Sequence, residues 1–432
     1  MKSLLNAVVD TPELREVYAQ VQPKLTDFWT RLGQNMAIFK KYQQLDSLAR
    51  KDDIVLDAAQ QKAIHNALLD FRLSGAELAQ PEQQRLLEIK TRQAELSRNF
   101  SDHCLDANNA YRYVVHDADE VLGIPEDALT QAADLAKTHD QTGWMFTLQF
   151  PSYFPVMQYA QNRALRETLY KAYVTRASEL AAQYAGGELD WDNTPLMKEI
   201  LALRQEEARL LGFDNYAQLS LKPKMADTPE QVIAFLEDMS QKARPFALQD
   251  YAQVEALAKD MGIDTVQPWD LTFVSEILRE KQYSFSEQEV KQYFTESKVL
   301  QGLFATVEQL FGVRLQKAAG TTWHPDAHAY QIVDQQGQVI AHFYLDLYAR
   351  QGGYAAGYYS YKWAEVLSSD VFGAFEEAAQ SGAPLVNPSV GAKYRQEILA
   401  VGGSRPALES FIAFRGREPS PDALLRHSGM AA

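Results

Sequence analysis

PEQQRLLEIKTRQAELSRNFSDHCLDA (81–107) is the stretch on which the fold class turns. Leu86, Ile89, Leu96 and Phe100 recur at helical steps, so they share one face of an α-helix, with charged residues between them. The segments 162–184, 193–212, 228–262 and 363–380 read the same way. Thr11-Pro12, Thr194-Pro195 and Thr228-Pro229 each place a capping hydroxyl before a proline suited to the first helical position. Thr228 with Gln231 also fits a capping box. Long amphipathic helices with short connections predict a mainly α fold, a long-helix bundle.

Strand signals are few. Tyr111–Val115 and Trp144–Phe150 are rich in aromatic and β-branched residues and are bounded by polar or turn residues. Tyr330–Val333 and Val339–Leu347 flank DQQGQ (334–338), which predicts a hairpin turning at Gly337. A small antiparallel β element is therefore expected within the helical chain. No Gly/Ser-rich or Pro-rich linker and no solenoid-length repeat interrupts it.

Bulk composition narrows the function classes. The 432 residues include 46% hydrophobic and 23% charged residues, the balance of a soluble globular protein with a large core. The net charge of −15 repels phosphate backbones and anionic lipid, so neither nucleic acid nor a membrane surface is an expected partner. Cys104 is the only cysteine, and no apolar run reaches the ~20 residues that span a bilayer. The N-terminal run LLNAVV is too short for a secretory segment, so a cytoplasmic location is expected. Cys104 lies in a helical stretch and reads as a packed, inert thiol.

Candidate chemistry is sparse. Zinc hydrolysis commonly uses HExxH, whose two histidines sit one helical turn apart with the glutamate as general base. None of the eight histidines (His65, His103, His116, His139, His324, His328, His342, His427) opens that motif. His324 and His328 alone have the i, i+4 spacing, but Pro325 and the flanking β pattern make TTWHPDAHAY a turn leading into the hairpin. GxSxG, GxxxxGK[ST] and GxGxxG are absent, which leaves a serine nucleophile or a nucleotide cradle unsupported. Glu206-Glu207 and Glu376-Glu377 read as solvated helix faces. The aromatic segment QGGYAAGYYSYKW (351–363) remains. Tyr354, Tyr358 and Tyr361 share one face if helical, behind the permissive Gly352 and Gly353. Spacing alone leaves two readings, a packed aromatic stripe or a row of phenol donors, and favours the first.

Collinear segments carry a resemblance. PELREVYAQ (12–20), LDFRLSGAEL (69–78), FPSYFPVMQYAQNRALRETLYKAY (150–173), MKEILALRQEEARLLGFDNYA (197–217), VQPWDLTFVSE (266–276), FYLDLYAR (343–350), GGSRPALESFIAFRGREP (402–419) and DALLRHSG (422–429) stand in that order. Together they resemble the thimet oligopeptidase family of zinc metallopeptidases, closest to its bacterial oligopeptidase A branch. The resemblance implies two helical lobes about a deep cleft, a zinc cofactor, and hydrolysis of short oligopeptides. It also implies that Tyr358 and Tyr361 position substrate or stabilise a tetrahedral intermediate, with Tyr354, Gly352 and Gly353 in the same loop.

Two departures stand out. The chain starts inside the family's N-terminal helical region. The central block with HExxH and the glutamate ligand is missing between FYLDLYAR and QGGYAAGYYSYKW, so the catalytic lobe is incomplete. The expected organisation is an N-terminal helical lobe with short strands (1–220), a helical segment with the β-hairpin (221–350) and a C-terminal helical remnant (351–432). No zinc site is recognisable, and helices that packed on the absent block would expose apolar faces and self-associate. Three readings follow: a zinc metallopeptidase by descent that is inactive alone, a non-catalytic peptide-binding or scaffold remnant, and a deletion product without function.

Overall fold

The computed structural model describes residues 11–51, 53–185, 191–284, 286–347 and 358–430. Helices dominate, and the chain forms two compact units, each assembled from separated stretches of sequence. The first takes Met1–Ala94, Leu203–Ala243 and Thr295–Ala432, and the second takes Glu95–Ala202 and Arg244–Phe294.

In the first unit, Thr11 caps the helix Pro12–Gly33 by accepting from Leu14 N at 3.2 Å. Asp57 and Gln60 form a reciprocal capping box at the start of Ala58–Leu73. Phe39, Ile64, Leu68 and Ala76 close a small core there. The expected box at Thr228 is present one residue out of register. Its hydroxyl accepts from Gln231 N at 3.2 Å, while Gln231 Oε1 accepts from Asp227 N at 2.7 Å.

The hairpin forms where DQQGQ places it, between β4 (His328–Val333) and β5 (Val339–Leu345). Asp334 accepts from the amides of Gln336 and Gln338, and Gly337 takes φ +81°, a conformation costly for any residue with a Cβ. β3 (Arg314–Lys317), polar and without alternation, is a strand the sequence reading misses. The order is β3-β4-β5, antiparallel throughout. Tyr330 stacks on its cross-strand partner Phe343 at 5.4 Å, and Phe304 of the helix Glu296–Phe311 meets Tyr330 edge-on at 5.3 Å.

In the second unit, β1 (Tyr113–Val115) pairs antiparallel with β2 (Trp144–Phe146). They cover a core of Tyr111, Phe146, Leu148, Tyr153, Val156, Leu165 and Leu169. The expected strand 144–150 stops early because Pro151 starts a helix at Phe150. The expected helix 162–184 breaks into Arg163–Thr175 and Ala181–Tyr184. Between them Ala177 has φ +52° and Ser178 Oγ donates to Thr175 O at 2.6 Å. Arg166, 1% exposed, lies against Asp270, 0% exposed, and Arg163 joins the same carboxylate from the surface side. Arg166 also donates to the carbonyls of Ala160, Gln161 and Trp269.

Candidate functional site

The helix Tyr359–Gln380 begins directly after Tyr358 and splits the aromatic segment between two faces. On the inner face, Tyr359 and Trp363 meet edge-on at 6.1 Å, and Trp363 packs on Phe235 at 4.9 Å. Trp363 Nε1 donates to Met225 Sδ at 3.4 Å. Burial pushes the Tyr359 phenol above its ordinary pKa. This residue is the anchor of the segment. The i, i+4 spacing of Tyr359 and Trp363 carries that signal, on the face opposite Tyr358 and Tyr361.

On the outer face, Tyr358 is 74% exposed and Tyr361 48% exposed. Their rings lie 5.3 Å apart at 48°, and Tyr361 N donates to Tyr358 O at 3.3 Å. The two phenols that the resemblance selects therefore share one turn at the surface. A phenol so placed can donate to a peptide carbonyl and offer a ring for stacking. Gly352, Gly353 and Tyr354 lie outside the described residues.

The same helix is fixed three turns further on by a buried carboxylate. Asp370, 0% exposed, accepts from Arg415 Nε at 3.0 Å, Arg417 at 2.6 and 2.7 Å, and Ser420 N at 2.8 Å. Burial alone pushes this carboxyl up. The bonds from Arg417 and Ser420 and the charges of Arg417 and Arg415 together outweigh it and hold the pKa below the usual range. Val366, Met239 and Leu425 form the adjoining apolar cluster.

Both acidic pairs read as solvated are engaged. Glu377 accepts two bonds from Arg415, at 2.9 and 2.7 Å, and Glu376 pairs with Arg426 and His427. Glu207 departs furthest from the expectation, being 3% exposed and held by Lys90 and Gln93, whereas Glu206 takes a bidentate bond from Arg85. A buried carboxylate requires such partners, and they come from more than a hundred residues away in sequence.

Among the described residues the histidines do not gather as a zinc donor set. His324 accepts from Asp326 N at 3.2 Å in a turn, and His328 opens β4 opposite Leu345. His103 bonds Asn193 at 2.9 Å, His139 bonds the Leu135 carbonyl at 3.1 Å, and His427 bonds Glu376 at 2.9 Å. Among the described residues no three His, Cys, Asp or Glu side chains gather as metal ligands do. The surroundings of Cys104 disfavour its thiolate. Burial raises its pKa, and Asn193 donates to its Sγ at 3.4 Å while occupying His103.

Comparison with known proteins places this scaffold. The model of peptidase family M3 matches residues 156–352 and 349–430, and that of the neurolysin/thimet oligopeptidase N-terminal domain matches 1–85. The chain belongs to peptidase family M3. It is similar to oligopeptidase A of Salmonella typhimurium, at 43% identity over 353 residues, covering 81% of this chain and 51% of that protein. It is similar to oligopeptidase A of Haemophilus influenzae, at 30% over 619 aligned residues, covering 99% of this chain and 89% of the relative. A probable cytosolic oligopeptidase A of Arabidopsis thaliana is 29% identical. The chain spans about half the length of the Salmonella relative. Both M3 matches share residues 349–352, where the sequence passes from FYLDLYAR to the glycine-tyrosine segment. The Haemophilus alignment, with 619 positions against 432 residues, leaves a long stretch of that relative without a counterpart here.

Proposed function

We propose that this M3 chain is an oligopeptidase A-like protein by descent that binds short peptides at the Tyr358–Tyr361 turn and does not hydrolyse them by itself. One observation carries the reading. HExxH occurs nowhere in the 432 residues, while the tyrosine turn that accompanies it in the family is present and faces outward. The family's zinc would supply an activated water, and the described residues offer no matching ligand set. The exposed phenols and the half-buried stem beneath them retain what peptide positioning needs: donors, rings and a rigid base. Gly352, Gly353 and Tyr354 extend this site in the proposal.

The partners proposed are short peptides, the location cytoplasmic, and the charge of −15 argues against nucleic acid. Among the described residues no helix is long and apolar enough to cross a membrane. Self-association is also proposed, because Val299, Leu303 and Ile340 lie 47–54% exposed in the first unit.

Two measurements on the purified chain test the reading. Fluorescence anisotropy of labelled short peptides should report binding that weakens in Tyr358→Phe and Tyr361→Phe. A quenched-fluorescent peptide should stay uncleaved with and without added zinc. Zinc-dependent turnover that co-elutes with the chain would refute the non-catalytic reading, and absence of peptide affinity would refute the binding site.

A further inference from the structure

The three-stranded sheet presents two free edges among the described residues, and they are built differently. β3 carries Arg314 and Lys317 in its four residues, the kind of charged edge that discourages a further strand. β5, VIAHFYL, has no charged residue and no proline over seven residues. Val339 is 46% exposed, Ile340 54% and Tyr344 47%, and Ala341 and His342 are exposed with them. The register with β4 runs evenly from His328–Leu345 to Ile332–Ala341 and then shifts, leaving Ile340 bulged, so the outer edge is straight from Ala341 to Leu345. An uncharged edge, straight over that span, is a template for another strand.

We propose that β5 pairs antiparallel with β5 of a second copy of this chain, joining the two sheets into one. This rests on the self-association proposed above and names its surface. The occupant follows from self-complementarity. A pair centred on His342 sets Ala341 opposite Phe343 within the straight span and brings Ile340 and Val339, beyond the bulge, to the end of the partner strand at Tyr344 and Leu345, so apolar and aromatic residues meet. Centring on Phe343 instead would press Ile340 against Asp346. The absence of charge matters doubly in a chain of net charge −15, because two copies repel over most surfaces and least along this strand.

The test uses the full chain with Cys104→Ser, so that any introduced thiol is the only one. His342→Cys places two thiols on the two-fold axis, with Cα atoms ~4.5–5.5 Å apart, within disulfide reach. Val339→Cys places them ~20 Å apart, six residues out of step along the strand. Oxidised glutathione should therefore yield a covalent dimer from the first variant and not from the second. By light scattering the wild-type chain should show twice the chain mass. Ile340→Lys should raise the dimer dissociation constant at least tenfold, with far-UV circular dichroism unchanged. A wild type that is monomeric at every concentration overturns the proposal, whether or not peptides bind at Tyr358. So does a dimer indifferent to Ile340→Lys, or equal cross-linking at both positions.

Discussion

Replacing Asp370 by alanine should loosen the helix that carries Tyr358 and Tyr361, and its cost can be worked from the contacts. Breaking a buried ion pair costs ~3–5 kcal/mol when the partner charge is stranded. Here the stranding is partial. Arg417 is 46% exposed and returns to water, and Arg415, 5% exposed, keeps its two bonds to Glu377. The Ser420 amide and the Arg415 Nε lose an acceptor, at ~1–3 kcal/mol for each buried donor left unmade. The expected loss is therefore about 3 kcal/mol, at the low end of the range. In urea, followed by far-UV circular dichroism, that lowers the midpoint by ~1 M for a slope of ~3 kcal/mol/M. Lys362→Ala, which removes a pair half-exposed on both sides, is the control and should cost under ~0.5 kcal/mol. The pH dependence has a fixed sign. The folded pKa of Asp370 is depressed, so its contribution is complete above the unfolded carboxylate value of about 4 and fades as pH falls through the folded one. The gap between wild type and Asp370→Ala should be level from pH 7 to pH 5 and narrow below ~4. A midpoint shift no larger than that of Lys362→Ala would refute the account.

Two further predictions concern the second unit. Asp270→Ala strands Arg166, 1% exposed, with only carbonyl oxygens left to it, so its cost should reach ~4–5 kcal/mol and exceed that of Asp370→Ala in the same urea assay. Gly143→Ala should cost at least ~2 kcal/mol, seen as a lower melting temperature, because φ is +91° and the new Cβ would lie 2.2 Å from the Val115 carbonyl oxygen.

What was legible in the sequence divides along physical lines. Periodicity and capping are local, and they located Gln80–Ala110 with Leu86, Ile89 and Leu96 all at 0% exposure. They also located the hairpin at Gly337. The polar anchors were not legible. Arg163 and Arg166 look like the outer face of an amphipathic helix until Asp270, more than a hundred residues on, closes over them. Glu207 looks solvated for the same reason, since its burial is decided by Lys90 and Gln93 on another helix. β3 has no apolar alternation and exists because β4 supplies its backbone partners. In the candidate site, the spacing of Tyr354, Tyr358 and Tyr361 drew attention to one face, while the order of the turn comes from Tyr359 and Trp363 on the other.

That division of faces makes the site separable from the fold. Tyr359 and Trp363 carry the packing against Phe235 and Met225, and Asp370 carries the electrostatic fixing further along the helix. Tyr358 at 74% and Tyr361 at 48% exposure stand at the surface of the helix, where a change of one hydroxyl costs folding little. Tyr358→Phe and Tyr361→Phe should each leave the melting temperature within about 1 °C of wild type, since surface changes usually stay within ~0.5 kcal/mol. A peptide carbonyl that loses its phenol donor should cost ~0.5–1.5 kcal/mol, a ~2–10-fold rise in the peptide dissociation constant. Trp363→Ala should do the reverse in order, lowering stability by about 2 kcal/mol, below the cost of a fully buried ring, and weakening peptide binding only through the disordering of the turn. If the two phenylalanine variants lost stability and binding together, the outer tyrosines would belong to the packing and not to a site, and the structure's division of the segment would be the wrong one.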